Sequence, residues 1–166
     1  VQDISLVAPT LSAQTAPINI LTYAQILFAK AEAAHRGWIT EDAKTLYEAA
    51  VKASLQQWMG TAYTDDAYKA YIAQPDVAYT AANALERIGT QRWIALFFQG
   101  TEAWNSWRRI GFPKLTPAPT TLNGGTAIPV RTAYPTTEFT LNKDNYTAVV
   151  ARQGKDDQYT PVWWDK

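Results

Sequence analysis

ILTYAQILFAKAEAAHRGWITEDAKTLYEAAVKASLQQW, residues 20–58, is the stretch whose reading decides the fold. Ile20, Tyr23, Ala24, Leu27, Phe28 and Ala31 stand at offsets 0, 3, 4, 7, 8 and 11, the period that sets one face of a helix against a core. Asn19 or Thr22 supplies its start. His35, Arg36 and Gly37 offer cations for the helix end and then a glycine able to take the left-handed conformation at the stop. Thr40 is placed to cap a second helix, with Glu41 and Asp42 where the macrodipole favours anions. Ala43, Leu46, Tyr47, Ala50, Val51, Ser54, Leu55 and Trp58 then repeat the apolar period. Two helices joined by so short a link lie antiparallel.

Outward from this hairpin, Thr64, Asp65 and Asp66 open a short helix carrying Tyr68, Tyr71 and Ile72, and Pro75 leads into a loop over 74–79. A third long helix is predicted over 80–98, where Leu85, Ile88, Trp93, Ile94, Leu96, Phe97 and Phe98 make the later turns apolar nearly all round and so buried. Gly100 breaks it and Thr101 caps a helix over 101–110. Trp104, Trp107, Arg108, Arg109, Gly111 and Pro113 then read as helix, cationic end, glycine stop, proline. From 114 to 134 Thr, Pro, Asn and Gly dominate, with a turn at Gly124 and Gly125, which predicts an extended wrapping segment with a strand pair. Asn142 caps a last helix over 142–153. The lead-in, 1–18, is irregular, with a short strand near 4–7. The expectation is one mostly α unit of helical hairpins, its helical core at 19–112 and an extended, loop-rich C-terminal part at 113–166. Ala43, Tyr47 and Ala50 match the A-x3-[FY]-x2-A spacing of a tetratricopeptide second helix, although any tight hairpin needs the same alternation of small and large residues.

Composition excludes several functions. Fifteen Lys plus Arg balance fifteen Asp plus Glu, which lacks the basic footprint of a nucleic-acid binder. One His and no Cys leave no two-His metal site, catalytic thiol or thiolate zinc site. No apolar stretch approaches the ~20 residues needed to span a bilayer. The chain opens on Val1 without a charged n-region, which predicts a start inside a longer gene product or after a removed leader. No nucleophile elbow, phosphate-binding loop, dinucleotide turn or EF-hand loop occurs, so neither a catalytic set nor a cofactor is expected.

Seven Trp, nine Tyr and five Phe are the unusual feature. Trp93, Trp104 and Trp107 on apolar helices read as core, each burying ~150–250 Å². Trp163 and Trp164 read as a plug that ties the tail into an apolar groove. Arg108 and Arg109 after Glu102 read as dipole stabilisation plus a surface pair. Trp58, Tyr63, Tyr68 and Tyr71 stand at a helix end and in polar sequence, where packing explains an aromatic less well, and are the candidate ligand contacts.

Three blocks fall together in order: Ile20-Leu21-Thr22-Tyr23-Ala24 with Ala31-Glu32-Ala33-Ala34 and Arg36-Gly37-Trp38; Gln91-Arg92-Trp93-Ile94-Ala95-Leu96-Phe97 through Gln99-Gly100 and Glu102-Ala103-Trp104 to Trp107-Arg108-Arg109 and Gly111-Phe112-Pro113; and Ile128-Pro129-Val130-Arg131 through Tyr134-Pro135 to Val162-Trp163-Trp164-Asp165. Together they resemble the C-terminal portion of the SusD/RagB outer-membrane lipoproteins of Bacteroidetes. Gln25, where the family usually has Glu, Phe112, where Tyr is frequent, and the missing lipidated cysteine depart from its pattern. The resemblance implies a tetratricopeptide-like core and non-catalytic capture of an oligosaccharide or polysaccharide at the cell surface. It also implies delivery to a SusC-like, TonB-dependent transporter, in company with the remaining N-terminal part of the same protein. The alternative from the residues alone is a helical-repeat adaptor gripping a peptide. Ring aromatics beside Asn, Asp or Gln in a cleft would favour sugar, and a Lys/Arg groove without rings would favour peptide.

Overall fold

The computed structural model describes residues 7–117 and 127–165. Its α-helices run α1 (Pro9–Ser12), α2 (Tyr23–His35), α3 (Ala43–Met59), α4 (Asp65–Ile72), α5 (Ala84–Ala95), α6 (Gly100–Ile110), α7 (Thr136–Leu141) and α8 (Lys143–Gln153), with no strand among the described residues. The α2–α3 hairpin is the principal packing unit, α5 lies against α2, and α6 folds back on α5. The mostly α architecture is therefore the one the periodicity predicts.

The ends of the first hairpin follow from local chemistry. Thr22 Oγ1 accepts the Gln25 N–H at 3.2 Å, opening α2. Gly37 takes φ 73°, and the amides of Gly37 and Trp38 return to Ala34 O and Ala33 O at 3.0 and 2.9 Å, which is a Schellman stop. The cap of α3 is Asp42 rather than Thr40, because the Asp42 carboxylate accepts from both Thr45 N at 2.7 Å and Thr45 Oγ1 at 2.6 Å. Between the two helices the alanines Ala24, Ala31 and Ala50 are buried and admit close approach, while Phe28 and Tyr47 fill the seam edge to face, their centroids 6.2 Å apart. The Tyr47 hydroxyl donates to Val77 O at 2.6 Å, so the loop before α5 is pinned to the core.

The second layer depends on one glycine. A Cβ on buried Gly89 would meet Ile110 Cγ2 at 2.7 Å and Phe112 Cβ at 2.9 Å. The gain in helix propensity from any side chain there is at most ~1 kcal/mol, whereas forcing atoms into packed space costs ~1–3 kcal/mol. Gly89→Val, which adds a β-branch, is expected to lower stability by about 2 kcal/mol in urea unfolding, and a neutral result would show that α6 does not sit this close to α5. Beyond α6, Gly111 takes φ 79° as the glycine stop and the Phe112–Pro113 peptide is cis. The described part of the C-terminal segment then runs along α6: Trp104 Nε1 donates to Pro129 O at 2.8 Å and Arg108 Nη1 to Val130 O at 2.7 Å.

Several expectations are corrected. The helix expected over 80–98 starts with a 3₁₀ turn at Ala81–Asn83 and ends at Ala95, and it is not buried all round: Trp93, Ile94, Phe97 and Phe98 are exposed. Residues 96–99 instead turn the corner into α6, which begins at Gly100 without a Thr101 cap. Trp93 is 38 % exposed and so is not core, since Ile88, Gln91 and Ala95 occupy the inward face of α5. Trp104 and Trp107 are half-buried, their indole N–H groups fastening the following segment at Pro129 O and Pro113 O. Trp163 is 81 % exposed and plugs nothing, while Trp164 lies over the Arg108 guanidinium at 4.9 Å. Asn142 occupies the cap position of α8 but makes no side-chain cap bond, and α7 was not expected. The predicted strand near 4–7 falls almost wholly, and the Gly124–Gly125 turn wholly, outside the described residues.

Candidate functional site

A cleft of about 370 Å³ opens where the lead-in passes the far end of α3 and the α5–α6 corner. Leu11, Ser12, Gln14, Ile18 and Asn19 form one wall, Trp58 of α3 the floor, and Phe97, Phe98 and Gln99 the other wall. Trp58 is held in place by its indole N–H, which donates to Ala95 O at 3.3 Å. Its ring meets Phe97 edge-on with centroids 5.6 Å apart and lies tilted to Phe98 at 6.5 Å. Phe97 and Phe98 touch each other at 4.6 Å.

The corner that presents these rings has an unusual backbone. Phe98 takes φ 67°, a left-handed conformation that bulky residues adopt only when their surroundings compel it. The compulsion is visible in the hydrogen bonds: Leu96 N closes on Arg92 O at 3.0 Å, Phe97 N on Ile94 O at 3.1 Å and Gln99 N on Leu96 O at 2.8 Å. Leu96 is buried beneath the turn, so Phe97 and Phe98 are lifted outward, Phe98 to 60 % exposure. Beside them Gln99 Nε2 is buried without a hydrogen-bond partner.

On the other side of the corner a charged lock joins α6 to α2. Arg109 grips the buried Glu32 carboxylate with both Nη atoms at 2.5 Å, and Arg36 Nε adds a third bond at 2.9 Å. Burial pushes the Glu32 pKa up, but the bonds and charges of Arg109 and Arg36 outweigh it and the net shift is downward. Arg109 is therefore more than a surface pair, and Glu102 answers Gln25 Nε2 at 3.5 Å.

Of the four sequence candidates, Trp58 alone lines the cleft. Tyr63 donates its hydroxyl to Asp65 Oδ1 at 2.7 Å, Tyr68 to Glu48 O at 3.3 Å and Tyr71 to Gln91 Oε1 at 3.0 Å. Tyr68 and Tyr71 also pack on the core, so these two secure α4 and the structure does not bring the three tyrosines together with Trp58. The cleft residues missed in the sequence are the lead-in wall, with Gln14 and Asn19, for which the irregular sequence carries no signal, and Phe97, Phe98 and Gln99 at the corner. The signal for the corner was three consecutive large residues, Phe97, Phe98 and Gln99, directly before Gly100, which at 100° per residue cannot share one buried helix face. Among the described residues no group of three or more His, Asp or Glu could hold a metal ion, and no helix is long and apolar enough to cross a membrane.

Residues 1–135 match the SusD-like family described as starch-binding and associating with the outer membrane. Among solved structures, a Bacteroidetes SusD-like protein is 37 % identical with a TM-score of 0.77, over 88 % of this chain and 30 % of that one. A chitin-binding protein is 34 % identical with a TM-score of 0.80, over 96 % of this chain and 36 % of that one. An outer-membrane protein from Bacteroides vulgatus, described as involved in nutrient binding, is 31 % identical with a TM-score of 0.75, over 96 % and 37 % of the two chains. The chain thus spans 30–37 % of the length of these relatives. No curated protein matches it. A matching family model over most of the chain, and solved relatives sharing both sequence and helical topology, establish that the chain belongs to the SusD-like family.

Proposed function

We propose that the chain contributes to non-catalytic oligosaccharide binding, with the Trp58, Phe97 and Phe98 cleft as its contact surface. The observation that carries this is the lining itself: three rings stand beside Gln14, Asn19 and Gln99. Aromatic faces accept the apolar C–H face of a sugar, while amides answer its hydroxyls. No Lys or Arg lines the cleft among the described residues, which favours sugar over the peptide-adaptor alternative. No carboxylate lines it either, so the surface is suited to holding a glycosidic bond and lacks the carboxylate pair that would cleave one.

Starch-binding as the family's description and chitin binding by one of the relatives support a glycan as ligand. In the same reading the chain is the C-terminal portion of a surface-exposed, lipid-anchored outer-membrane protein that hands its glycan to a SusC-like, TonB-dependent transporter. Titration calorimetry of this chain with maltohexaose and chitohexaose tests the binding step. One of the two is expected to bind, and Trp58→Ala to weaken it at least tenfold with products of hydrolysis absent. Equal affinity of Trp58→Ala and the unaltered chain would remove the cleft from the site.

A further inference from the structure

A second cleft, about 440 Å³, lies along the α5–α6 pair, shares no lining residue with the first, and is lined by Arg92, Glu102, Asn105, Ser106, Arg109 and Trp164. Arg92 is the anomaly in it. Its guanidinium makes no hydrogen bond or ion pair with any described residue, and its Nε is buried without a partner. Of the carboxylates nearby, Glu32 is engaged by Arg109 and Arg36, and Glu102 accepts one long bond, 3.5 Å, from the neutral Gln25 amide. Three guanidinium groups (Arg36, Arg92, Arg109) thus face two carboxylates (Glu32, Glu102), an excess of one positive charge. Burial above all draws the Arg92 pKa downward, and repulsion from Arg109 adds to it against the opposing attraction of Glu32 and Glu102.

The rest of the lining suits a hydroxylated ring. Asn105 is fixed by accepting Arg108 Nη2 at 2.5 Å through Oδ1, and its Nδ2 has no partner among the described residues. Trp164 is covered on one side by the Arg108 guanidinium at 4.9 Å and remains 44 % exposed. A planar carboxylate matches the fork of a guanidinium, and a ring bearing one carboxylate neutralises the single excess charge where a dianion would overshoot it.

We propose that this cleft binds a uronic-acid residue of an acidic oligosaccharide, its carboxylate on Arg92 and the outer edge of Arg109 and its ring against Trp164. The inference rests on the reading of the chain as a glycan binder, and extends it to an acidic sugar at a site separate from the Trp58 cleft. The test is titration calorimetry of the chain with trigalacturonate, with maltotriose as the neutral and triglutamate as the peptide counterpart. Trigalacturonate is expected to bind, to weaken several-fold between 50 and 300 mM NaCl, and to lose at least tenfold in Arg92→Gln. Arg92→Lys, which keeps charge but not the fork, should fall between the two. Because Arg92 makes no hydrogen bond or ion pair with any described residue, Arg92→Gln should keep the thermal midpoint and any affinity for maltohexaose.

Absence of trigalacturonate binding, binding undiminished in Arg92→Gln, or triglutamate binding as tightly as trigalacturonate would each overturn the proposal. The two readings fail separately. Maltohexaose or chitohexaose binding lost in Trp58→Ala, with no trigalacturonate binding, overturns only the acidic site. Arg92-dependent trigalacturonate binding without either neutral sugar overturns only the Trp58 cleft.

Discussion

Tyr47→Ala is expected to cost about 3–5 kcal/mol of stability, the largest loss from any single truncation in the hairpin. The ring has no exposed surface. It is wedged between Phe28, at a centroid distance of 6.2 Å, and Tyr79, at 5.4 Å, so its removal leaves a cavity that two rigid helices cannot close. The hydroxyl is a separate contribution. Tyr47→Phe keeps the ring and orphans Val77 O, whose partner lies at 2.6 Å, for an expected loss of about 1–2 kcal/mol. Burial, the foremost cause, pushes the phenol pKa up, so ionisation plays no part at neutral pH. Urea unfolding of both variants separates the terms. A Tyr47→Ala loss no greater than that of Tyr47→Phe would mean that packing in the seam is not what holds the hairpin.

The second large effect is expected at Glu32, where one carboxylate receives Arg109 and Arg36. Removing one partner of a buried ion cluster leaves uncompensated charge and costs ~3–5 kcal/mol when all members are buried. Here the Arg109 side chain is 41 % exposed, so water screens part of the loss and about 2 kcal/mol is expected for Glu32→Gln at pH 7. The pH dependence has a definite sign. The folded pKa of Glu32 lies below its ordinary value of 4.5. Its contribution is thus fully present above 4.5, and it is lost as the pH falls through the lower folded value. The stability curves of the unaltered chain and Glu32→Gln should therefore separate above pH 4.5 and converge in more acid solution. Parallel curves down to pH 2 would assign the loss to packing instead.

What was legible in the sequence was local. The period of α3, that of α2 from Ala24 onward, the Gly37 and Gly111 stops and the small-large alternation at Ala43, Tyr47 and Ala50 all act within a few residues, and the structure follows them, whereas Ile20 and Tyr23, expected on the inner face of α2, are exposed because the helix starts only at Tyr23. Asp42 rather than Thr40 opens α3 because its carboxylate, three residues before Thr45, accepts both the Thr45 amide and hydroxyl, a choice between two capping residues that spacing alone does not rank. Long-range partners left no local trace: Glu32 and Arg109 are 77 positions apart, and neither had any pattern pointing to the other.

The aromatic count misled for a related reason. Hydrophobicity in 93–98 reads as burial, yet a helix that stops at Ala95 throws Phe97 and Phe98 outward. The same turn forms one wall of the cleft, so the exposure of Phe97 and Phe98 and their place beside Trp58 have one cause. A position at a helix end singles out Trp58, and the structure sets that end beside the α5–α6 corner, where Trp58 lines the cleft. Tyr68 and Tyr71 satisfied the same criterion and are accounted for by bonds that secure α4.

The most direct measurement on the central claim is an NMR titration of the chain with whichever of chitohexaose or maltohexaose binds, following the tryptophan indole N–H signals and the side-chain amides. Glycan binding in the cleft predicts that the Trp58 indole and the Gln99 amide shift together and saturably while the backbone amides of α4 stay still. Shifts confined to α4 around Tyr68 and Tyr71, with Trp58 unmoved at saturation, would contradict it.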